Sequence, residues 1–181
     1  MRKIIVSEFV SLDGVMEDPA WTVPFRSDEG RQYKRDELFA SDALLLGRVT
    51  YEDFSAAWPS ITDEQGFADR MNSLPKYVAS TTLDTVAWNA SLIKGDVAAA
   101  VATLKGQPGR DILVGGSAAL VHTLRQHDLV DEYRLMVFPV VVGHGKRLFS
   151  DGLDMTTLRH VDTKTFSSGV VVLTYQSARG A

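Results

Sequence analysis

The stretch Ile112-Leu113-Val114-Gly115-Gly116-Ser117-Ala118-Ala119-Leu120 decides how the rest of the chain is interpreted. An apolar run typical of a buried strand stops at two glycines, and a segment of helical character follows them. Glycine lets a backbone approach a ligand closely, and a helix start offers free N–H groups and the positive end of its dipole. The pattern predicts a phosphate-binding turn, although a flexible join between strand and helix would have the same sequence.

Two other predicted strands end in a comparable way. The run over 42–46 stops at Gly47-Arg48-Val49-Thr50, and the run over 76–79 stops at Ser80-Thr81-Thr82. The planar guanidinium of Arg48 suits a phosphate, with a surface salt bridge as the alternative. The hydroxyl groups of the second segment either bind a phosphate or turn the chain.

Acidic residues and a tryptophan mark the first part of the chain. Residues 3–10 form a nearly continuous apolar run, which predicts a strand buried on both faces in a parallel sheet. Glu8 interrupts this run, and burial of its charge would be energetically unfavourable unless the carboxylate is paired or near solvent. Asp13-Gly14 predicts a turn, where Asp13 either caps the chain or presents a carboxylate at the sheet edge. Residues 15–24 are interpreted as a loop in which Trp21 covers core or ligand.

Composition excludes several functional classes. The 181 residues predict one domain over 1–181, and the net charge of -4 argues against nucleic acid or anionic membranes as partners. The absence of cysteine excludes disulfides and thiolate metal sites, and the four histidines lack metal-site spacing, so no metal is predicted. The N-terminal apolar run is too short for a signal peptide or a membrane span, which predicts a cytoplasmic protein.

The predicted elements alternate between strands and helices. Helices are predicted over 29–41, 63–72 and 96–105 and from the Gly-Gly turn to about Gln126, with a short strand over 86–89. Ser168-Gly169 joins two final strand-like segments as a hairpin. The order predicts an α/β three-layer domain, with helices on both faces of a mostly parallel sheet and an antiparallel C-terminal hairpin.

Four ordered blocks of sequence resemble the dihydrofolate-reductase-like family. The resemblance is strongest to the reductase domain at the C-terminus of the bifunctional riboflavin-biosynthesis deaminase-reductase, and it extends over residues 3–175. The blocks are Val10–Gly14, Leu45–Glu52, Lys76–Leu83, and Val114–Ser117 continued through Leu129–Glu132 to Pro139–Phe149.

The resemblance implies an NADPH-dependent reductase. Such an enzyme transfers a hydride to a small heterocyclic (pyrimidine- or pterin-like) or sugar-derived substrate, as 5-amino-6-(5-phosphoribosylamino)uracil reductase does in riboflavin biosynthesis. It further implies a cofactor that lies across the C-terminal edge of the sheet. A homodimer is also expected, because the antiparallel C-terminal hairpin and the strand that carries Pro139 leave sheet edges that must be covered. The implied cofactor contacts are Gly47, Arg48 and Thr50 at the phosphates, Ser80 and Thr81 at the adenosine, and Gly115, Gly116, Ser117 and Ala118 at the pyrophosphate.

The implied substrate side lies near the N-terminus. Residues 11–21 correspond to a mobile loop over the nicotinamide, with Asp13, Gly14 and Trp21 as substrate-binding residues. Because a hydride transfer also needs a proton, Asp13 and Glu8 are the catalytic candidates for a proton relay.

Three departures from the family pattern bear on the substrate and the cofactor that the resemblance implies. Dihydrofolate reductases place an acid where this chain has Arg26, so folate reduction is disfavoured. Ala118 stands where a basic residue would bind the 2′-phosphate, which leaves NADH as the alternative cofactor. The zinc-dependent deaminase half is absent. The other functions considered are a non-catalytic nucleotide- or pterin-binding module on the same fold and a structural dimerisation protein.

Overall fold

Eight strands form one mixed sheet in the computed structural model, which describes residues 1–178. Six of them are parallel, because each returns to the sheet through a crossover connection. The strands are β1 Ile4–Ser11, β2 Ser41–Gly47, β3 Lys76–Ala79, β4 Ala90–Ile93, β5 Asp111–Val114, β6 Glu132–Phe138, β7 Leu158–Thr165 and β8 Val171–Ser177.

Five α-helices and two 3₁₀ helices connect the strands. Asp28 begins α1 after Ser27, whose side chain accepts a hydrogen bond from Gly30 N, and Asp96 caps α4 in the same way through Ala99 N. The α-helices are α1 Asp28–Ala40, α2 Arg48–Ala57, α3 Phe67–Ser73, α4 Val97–Gly106 and α5 Ala118–Gln126, and the 3₁₀ helices are Pro19–Phe25 and Trp58–Ser60.

The strand order is β4-β3-β2-β5-β1-β6-β8-β7. The pairs from β4 to β6 are all parallel, whereas β8 is antiparallel to both β6 and β7. The predicted mostly parallel sheet with an antiparallel C-terminal hairpin is therefore confirmed.

Helices cover both faces of the parallel part. Ile4 and Val6 point towards α4 and α5, where they pack with Val101 and Leu124. Ile5 points to the opposite face and packs with residues of α1, α2 and α3. Since alternate side chains of β1 enter different cores, its apolar run is nearly continuous, as the sequence predicted.

The strand predicted over 86–89 is wrong, because strand β4 begins at Ala90. Trp88 and Asn89 have positive φ values of 59° and 52°, which place them in a turn before the strand. The side chain of Asn89 donates to Ser73 O at 2.7 Å, and Trp88 Nε1 donates to Asn72 Oδ1 at 2.7 Å. These contacts hold the turn against the end of α3.

Two other boundaries differ from prediction. The helix predicted over 63–72 begins only at Phe67, because the Asp63 carboxylate accepts hydrogen bonds from the amides of Gln65, Phe67 and Ala68 and fixes a turn before the helix. The segment interpreted as a loop over 15–24 contains the 3₁₀ helix Pro19–Phe25. Within residues 1–178, no helix is long and apolar enough to cross a bilayer.

Candidate functional site

The three segments predicted to bind phosphates lie side by side at the C-terminal edge of the sheet. Gly47 of β2 is in register with Ala79 of β3, so Arg48 and Ser80 leave neighbouring strands together. On the other side of β2, Gly47 N donates to Gly116 O at 3.0 Å. Residues far apart in sequence therefore converge where parallel sheets bind ligands.

Close packing explains why glycine occupies two positions in this edge. A Cβ on Gly47 would collide with the Ser117 side chain, and a Cβ on Gly116 would lie 2.6 Å from Thr50 Oγ1. Gly116 also has φ at 111°, a conformation that side chains disfavour. The starts of α2 and α5 are thus brought into contact by glycines.

These two helix starts have free backbone donors. Neither Gly47 before α2 nor Ser117 before α5 makes a side-chain capping hydrogen bond within the described part of the chain, in contrast to Ser27 and Asp96 at α1 and α4. Uncapped N–H groups together with the helix dipole favour an anion. The geometry suits the phosphate groups of a nucleotide cofactor.

The charged and hydroxyl side chains around this edge are not equally free to contact a phosphate. Arg48 is exposed at the start of α2 and pairs with Glu52 at 2.8 Å. Ser80 is buried, and its Oγ accepts hydrogen bonds from the amides of Thr82 and Leu83, so it also turns the chain. Thr81 is exposed at the tip of this turn, and Ala118 is the first residue of α5. Arg48 is therefore an exposed cation at this edge, although it is paired with Glu52.

Glu8 is a buried acid beside this edge. The ladder between β1 and β5 ends at Val6 and Val114, while β1 continues along β6 as far as Ser11. Glu8 therefore lies on the part of β1 that has a neighbouring strand on one side only. Burial raises its pKa to about 8, Lys34 lowers it in part, and Glu37 raises it further. Its Oε1 is buried and has no hydrogen-bond partner within residues 1–178.

The carboxylate of Asp13 ties two loops together. It accepts hydrogen bonds from Ser11 Oγ, from Val142 N at 3.1 Å and from Gly143 N at 2.8 Å. These contacts, with the Ser11 hydroxyl as the largest cause, lower the pKa of Asp13 to about 2. The group is ionised at neutral pH, which makes it a poor proton donor, and Gly14 beside it turns the chain with φ at 83°.

Trp21 belongs to an aromatic cluster at the end of β6. Its ring packs edge-on against Phe138 at 5.6 Å between centroids, and Phe9 and Phe25 contact the same ring. Trp21 Nε1 donates to Glu17 O at 3.2 Å. Trp21 thus anchors the predicted substrate loop on this aromatic cluster. The cluster offers an apolar surface against which a flat ring could pack.

Sequence reasoning missed a polar cluster on the α1 face. Lys34 Nζ donates to Ser7 Oγ at 2.7 Å, and Ser7 donates to Glu37 Oε2 at 2.7 Å. Ser7, like Glu8, interrupts the apolar run of β1, and this was the available signal. The spacing of Lys34 and Glu37, one helical turn apart, is too common in solvated helices to have identified them.

A separate cleft of about 370 Å³ lies between α1 and the C-terminal hairpin. Its walls include Tyr33, Glu37, Arg134, Lys164 and Thr174. The cleft lies beyond the buried Glu37, away from the glycine turns. It is therefore distinct from the edge where the helix starts meet.

Comparisons with known proteins agree with this architecture. The chain is 36% identical over 177 residues to the protein YyaP of Bacillus subtilis (strain 168), covering 96% of this chain and 94% of that protein. The deaminase/5-amino-6-(5-phosphoribosylamino)uracil reductase of Thermotoga maritima superposes with a TM-score of 0.69 at 14% identity, over 98% of this chain and 57% of that one. Dihydrofolate reductase of Enterococcus faecalis, solved with NADP(H), superposes with a TM-score of 0.67 at 14% identity, over 97% and 96% of the two chains.

A family model supplies the assignment. The RibD C-terminal domain matches residues 2–172, nearly the whole chain. The match agrees with the sheet order and with the glycine turns at its C-terminal edge. The protein therefore belongs to the RibD C-terminal domain family of reductases.

Proposed function

We propose that this reductase transfers a hydride from NADPH to a small pyrimidine- or pterin-like substrate. The observation that carries the proposal is the meeting of two uncapped helix starts at Gly47 and Gly116. The dihydrofolate reductase of similar fold was solved with NADP(H), and the Thermotoga enzyme reduces a pyrimidine, which supports the cofactor and the substrate class.

The residues at this edge fit a dinucleotide. Backbone N–H groups at the starts of α2 and α5 would hold the pyrophosphate, with Gly115, Gly116 and Ser117 in close approach. Arg48 would supply a charge-assisted hydrogen bond, and Thr81 would lie on the adenosine side. When bound, the nicotinamide supplies the hydride.

Glu8 is the residue that we propose as the proton source. Its raised pKa keeps the carboxyl protonated at neutral pH, and Oε1 lacks a partner among the described residues. Asp13 is ionised under the same conditions, so its contribution would be to position the loop that holds Trp21. A general acid must carry its proton at the working pH, which favours Glu8.

Fluorescence titration with NADPH tests the cofactor assignment. Arg48→Ala should weaken NADPH binding by about 1–3 kcal/mol, since it removes a charge-assisted contact. Arg31→Ala is the matched control, because Arg31 is also an exposed helical arginine paired with an acid on its own helix, Asp28. Folded wild-type protein that does not bind NADPH or NADH at millimolar concentration would refute the proposal.

Steady-state oxidation of NADPH then separates turnover from binding alone. Candidate substrates are pyrimidines and pterins, assayed with the same protein preparation. A comparison with NADH measures cofactor preference. Because Ala118 offers no positive charge, we expect Arg48→Ala to reduce any preference for NADPH over NADH.

A further inference from the structure

Lys76 is a buried lysine that has no carboxylate partner. It begins β3, and only 1% of the residue is exposed. Its Nζ donates to Asn72 O at 2.9 Å and lies 4.0 Å from the centroid of the Trp88 ring. In the described part of the chain it forms no ion pair, whereas Lys105, which is also buried, pairs with an aspartate. Since an ammonium group is costly to remove from water, these two contacts are what offset its burial.

The charged side chains on the elements around Lys76 do not neutralise it. They bind other groups or are exposed: Arg70 donates to Ser41 O, Asp42 pairs with Arg2, Asp84 pairs with Lys94, and Asp69 is exposed. Burial therefore lowers the pKa of Lys76 from 10.5 to about 8. At neutral pH the group is still charged, so the folded protein holds an ammonium group in surroundings that disfavour its charge.

The turn that covers the ammonium group is strained. Ala90 N donates to Ala87 O at 3.2 Å, which closes a β-turn. Its central residues, Trp88 and Asn89, have φ at 59° and 52°. This conformation suits glycine or asparagine, whereas for a tryptophan it is unfavourable and persists only where neighbouring contacts enforce it. Here the indole is held by Nε1, which donates to Asn72 Oδ1 at 2.7 Å, and by the ammonium group below the ring.

The strained turn belongs to the connection between β3 and β4, residues 80–89, which consists of turns and bends. The connection begins at the candidate cofactor edge with Ser80 and Thr81. It is also tied to α2, because the Tyr51 hydroxyl accepts a hydrogen bond from Ala87 N at 2.7 Å. Side-chain contacts rather than strand pairing thus hold the segment in place, so release of the turn would loosen the part that lies at the cofactor edge.

We propose that Lys76, Trp88 and Asn72 form a latch on the β3–β4 connection, and that this latch opens locally in the folded protein. In the closed state the indole covers the ammonium group. In the open state the amine reaches water, and Ser80 and Thr81 leave the adenosine side of the cofactor site. Opening and cofactor binding then exclude each other, so bound NADPH keeps the latch closed. The coupling to NADPH rests on the proposed function, whereas the latch itself does not.

Trace labelling with acetic anhydride, resolved by residue with mass spectrometry, measures the opening, because only a neutral amine in contact with water reacts. Lys76 should react faster than the buried Lys105, whose labelling reports global unfolding, and more slowly than the exposed Lys164. A rate at Lys76 no higher than that at Lys105 would mean that only global unfolding exposes it. A rate equal to that of Lys164 would mean that nothing covers the amine. Either result would overturn the inference.

The labelling rate should depend on pH in a way that an exposed lysine does not show. Opening takes up a proton between the pKa of about 8 in the closed state and the ordinary 10.5, so the open fraction falls about tenfold per pH unit over this range. This fall cancels the increase in neutral amine, and labelling of Lys76 should level off near pH 8. Nα-acetyl-lysine amide in the same tube should gain reactivity up to about pH 10.4. A Lys76 profile that follows this compound would contradict the latch.

Trp88→Phe keeps an aromatic ring but loses the Nε1 hydrogen bond to Asn72, so labelling of Lys76 should rise about 5- to 10-fold. Trp58→Phe is the matched control. Trp58 is also a half-buried tryptophan of the same core, but its ring packs against Phe67. Its replacement should leave the rate at Lys76 unchanged. An unchanged rate in Trp88→Phe would show that the indole does not hold the segment closed.

Labelling in the presence of NADPH tests the coupling. At a free NADPH concentration about ten times its dissociation constant, labelling of Lys76 should slow about tenfold, while that of Lys164 should not change. If NADPH binds in the fluorescence titration and the rate at Lys76 stays the same, the coupling is wrong. Failure of NADPH to bind contradicts the proposed function instead, and the latch is then decided by the pH profile and by Trp88→Phe.

Discussion

Glu8 couples the stability of the protein to pH. Its pKa is about 8 in the folded chain, against an ordinary value of 4.5, so between these values the folded state binds a proton that the unfolded state has released. The free energy of unfolding should therefore fall as pH rises from about 4.5 to about 8 and should level off above that. The slope due to this group is about 1.4 kcal/mol per pH unit.

Glu8→Gln should remove this dependence, because the amide has no proton to lose. Urea denaturation at several pH values measures it, with Glu64→Gln as the control at an exposed glutamate. In the reductase assay, wild-type kcat should decline above pH 8, and Glu8→Gln should lower kcat throughout. An unchanged slope in Glu8→Gln would mean that the carboxyl is ionised in the folded state.

Gly116 is the residue whose substitution should damage the candidate cofactor edge most directly. In Gly116→Ala a methyl group would lie 2.6 Å from Thr50 Oγ1 at a positive φ, so we expect a loss of about 1–3 kcal/mol in stability and weaker NADPH binding. Gly106→Ala is the control, since no atom lies within 4 Å of a Cβ at that position. Thermal unfolding and NADPH titration together check the prediction, and wild-type behaviour of Gly116→Ala in both would contradict it.

At the residue scale, the sequence identified polar groups by contrast with their surroundings. Glu8 could be recognised from the sequence because it interrupts an apolar strand, and the Gly115-Gly116 pair could be recognised because it ends an apolar strand. Lys34 could not be recognised, since a lysine in a charged helix usually faces solvent. Its contact with Ser7 depends on where α1 crosses β1, and this feature of the tertiary structure cannot be read from a local sequence pattern.

At the scale of elements, two loops close over the ends of β1 and β6. Met16 N donates to Lys146 O at 2.9 Å, and Leu148 N donates to Gly14 O at 3.0 Å. The Asp13 carboxylate adds hydrogen bonds from the amides of Val142 and Gly143. The resemblance implied a mobile loop over 11–21, but its first half is joined to residues 140–148 by this network.

Asp13→Ala should loosen the junction of the two loops. The amides of Val142 and Gly143 would lose their acceptor, so we expect faster hydrogen exchange at both, measured by NMR or mass spectrometry. In wild type the protection should persist above pH 3.8 and be lost only as pH falls towards 2, where Asp13 is protonated.

Asp84→Ala provides the comparison, because Asp84 is an exposed loop acid that pairs with the Lys94 side chain. It should leave the exchange of Val142 and Gly143 unchanged. If Asp13→Ala abolished the pH dependence of kcat while Glu8→Gln preserved it, the proton source would be Asp13 and not Glu8.

Strands and helices with a clear pattern of apolar residues could be predicted from the sequence, whereas the junctions between them could not. The apolar runs that became β1, β2 and β5 were recognised, as was α4, although the helix includes Gly106, which the sequence was expected to place after it. The false strand over 86–89 arose because Val86 and Trp88 are apolar, although they pack against the core from a turn. The late start of α3 depends on the side chain of Asp63, whose acceptors bind amides up to five residues ahead.

At the scale of the whole molecule, the two edges of the sheet differ. Strand β4 at one edge has four residues, whereas β7 at the other has eight, and Arg159–Thr165 are all exposed. A long unpaired edge strand tends to associate with another chain. We therefore propose that β7 forms the interface of the homodimer that the C-terminal hairpin led us to expect from the sequence.

Val161 offers a direct test of that interface. It is 42% exposed on β7, at the point where the register with β8 shifts between His160 and Asp162. Val161→Lys should convert a dimer to a monomer in size-exclusion chromatography with light scattering, because a lysine at an edge opposes strand pairing. Ile61→Lys, at a comparably exposed residue (40%) beyond α2, should leave the mass unchanged. A wild-type monomer at 100 µM, or a Val161→Lys dimer as stable as wild type, would exclude β7 as the interface; the cofactor edge would then have to function within one chain.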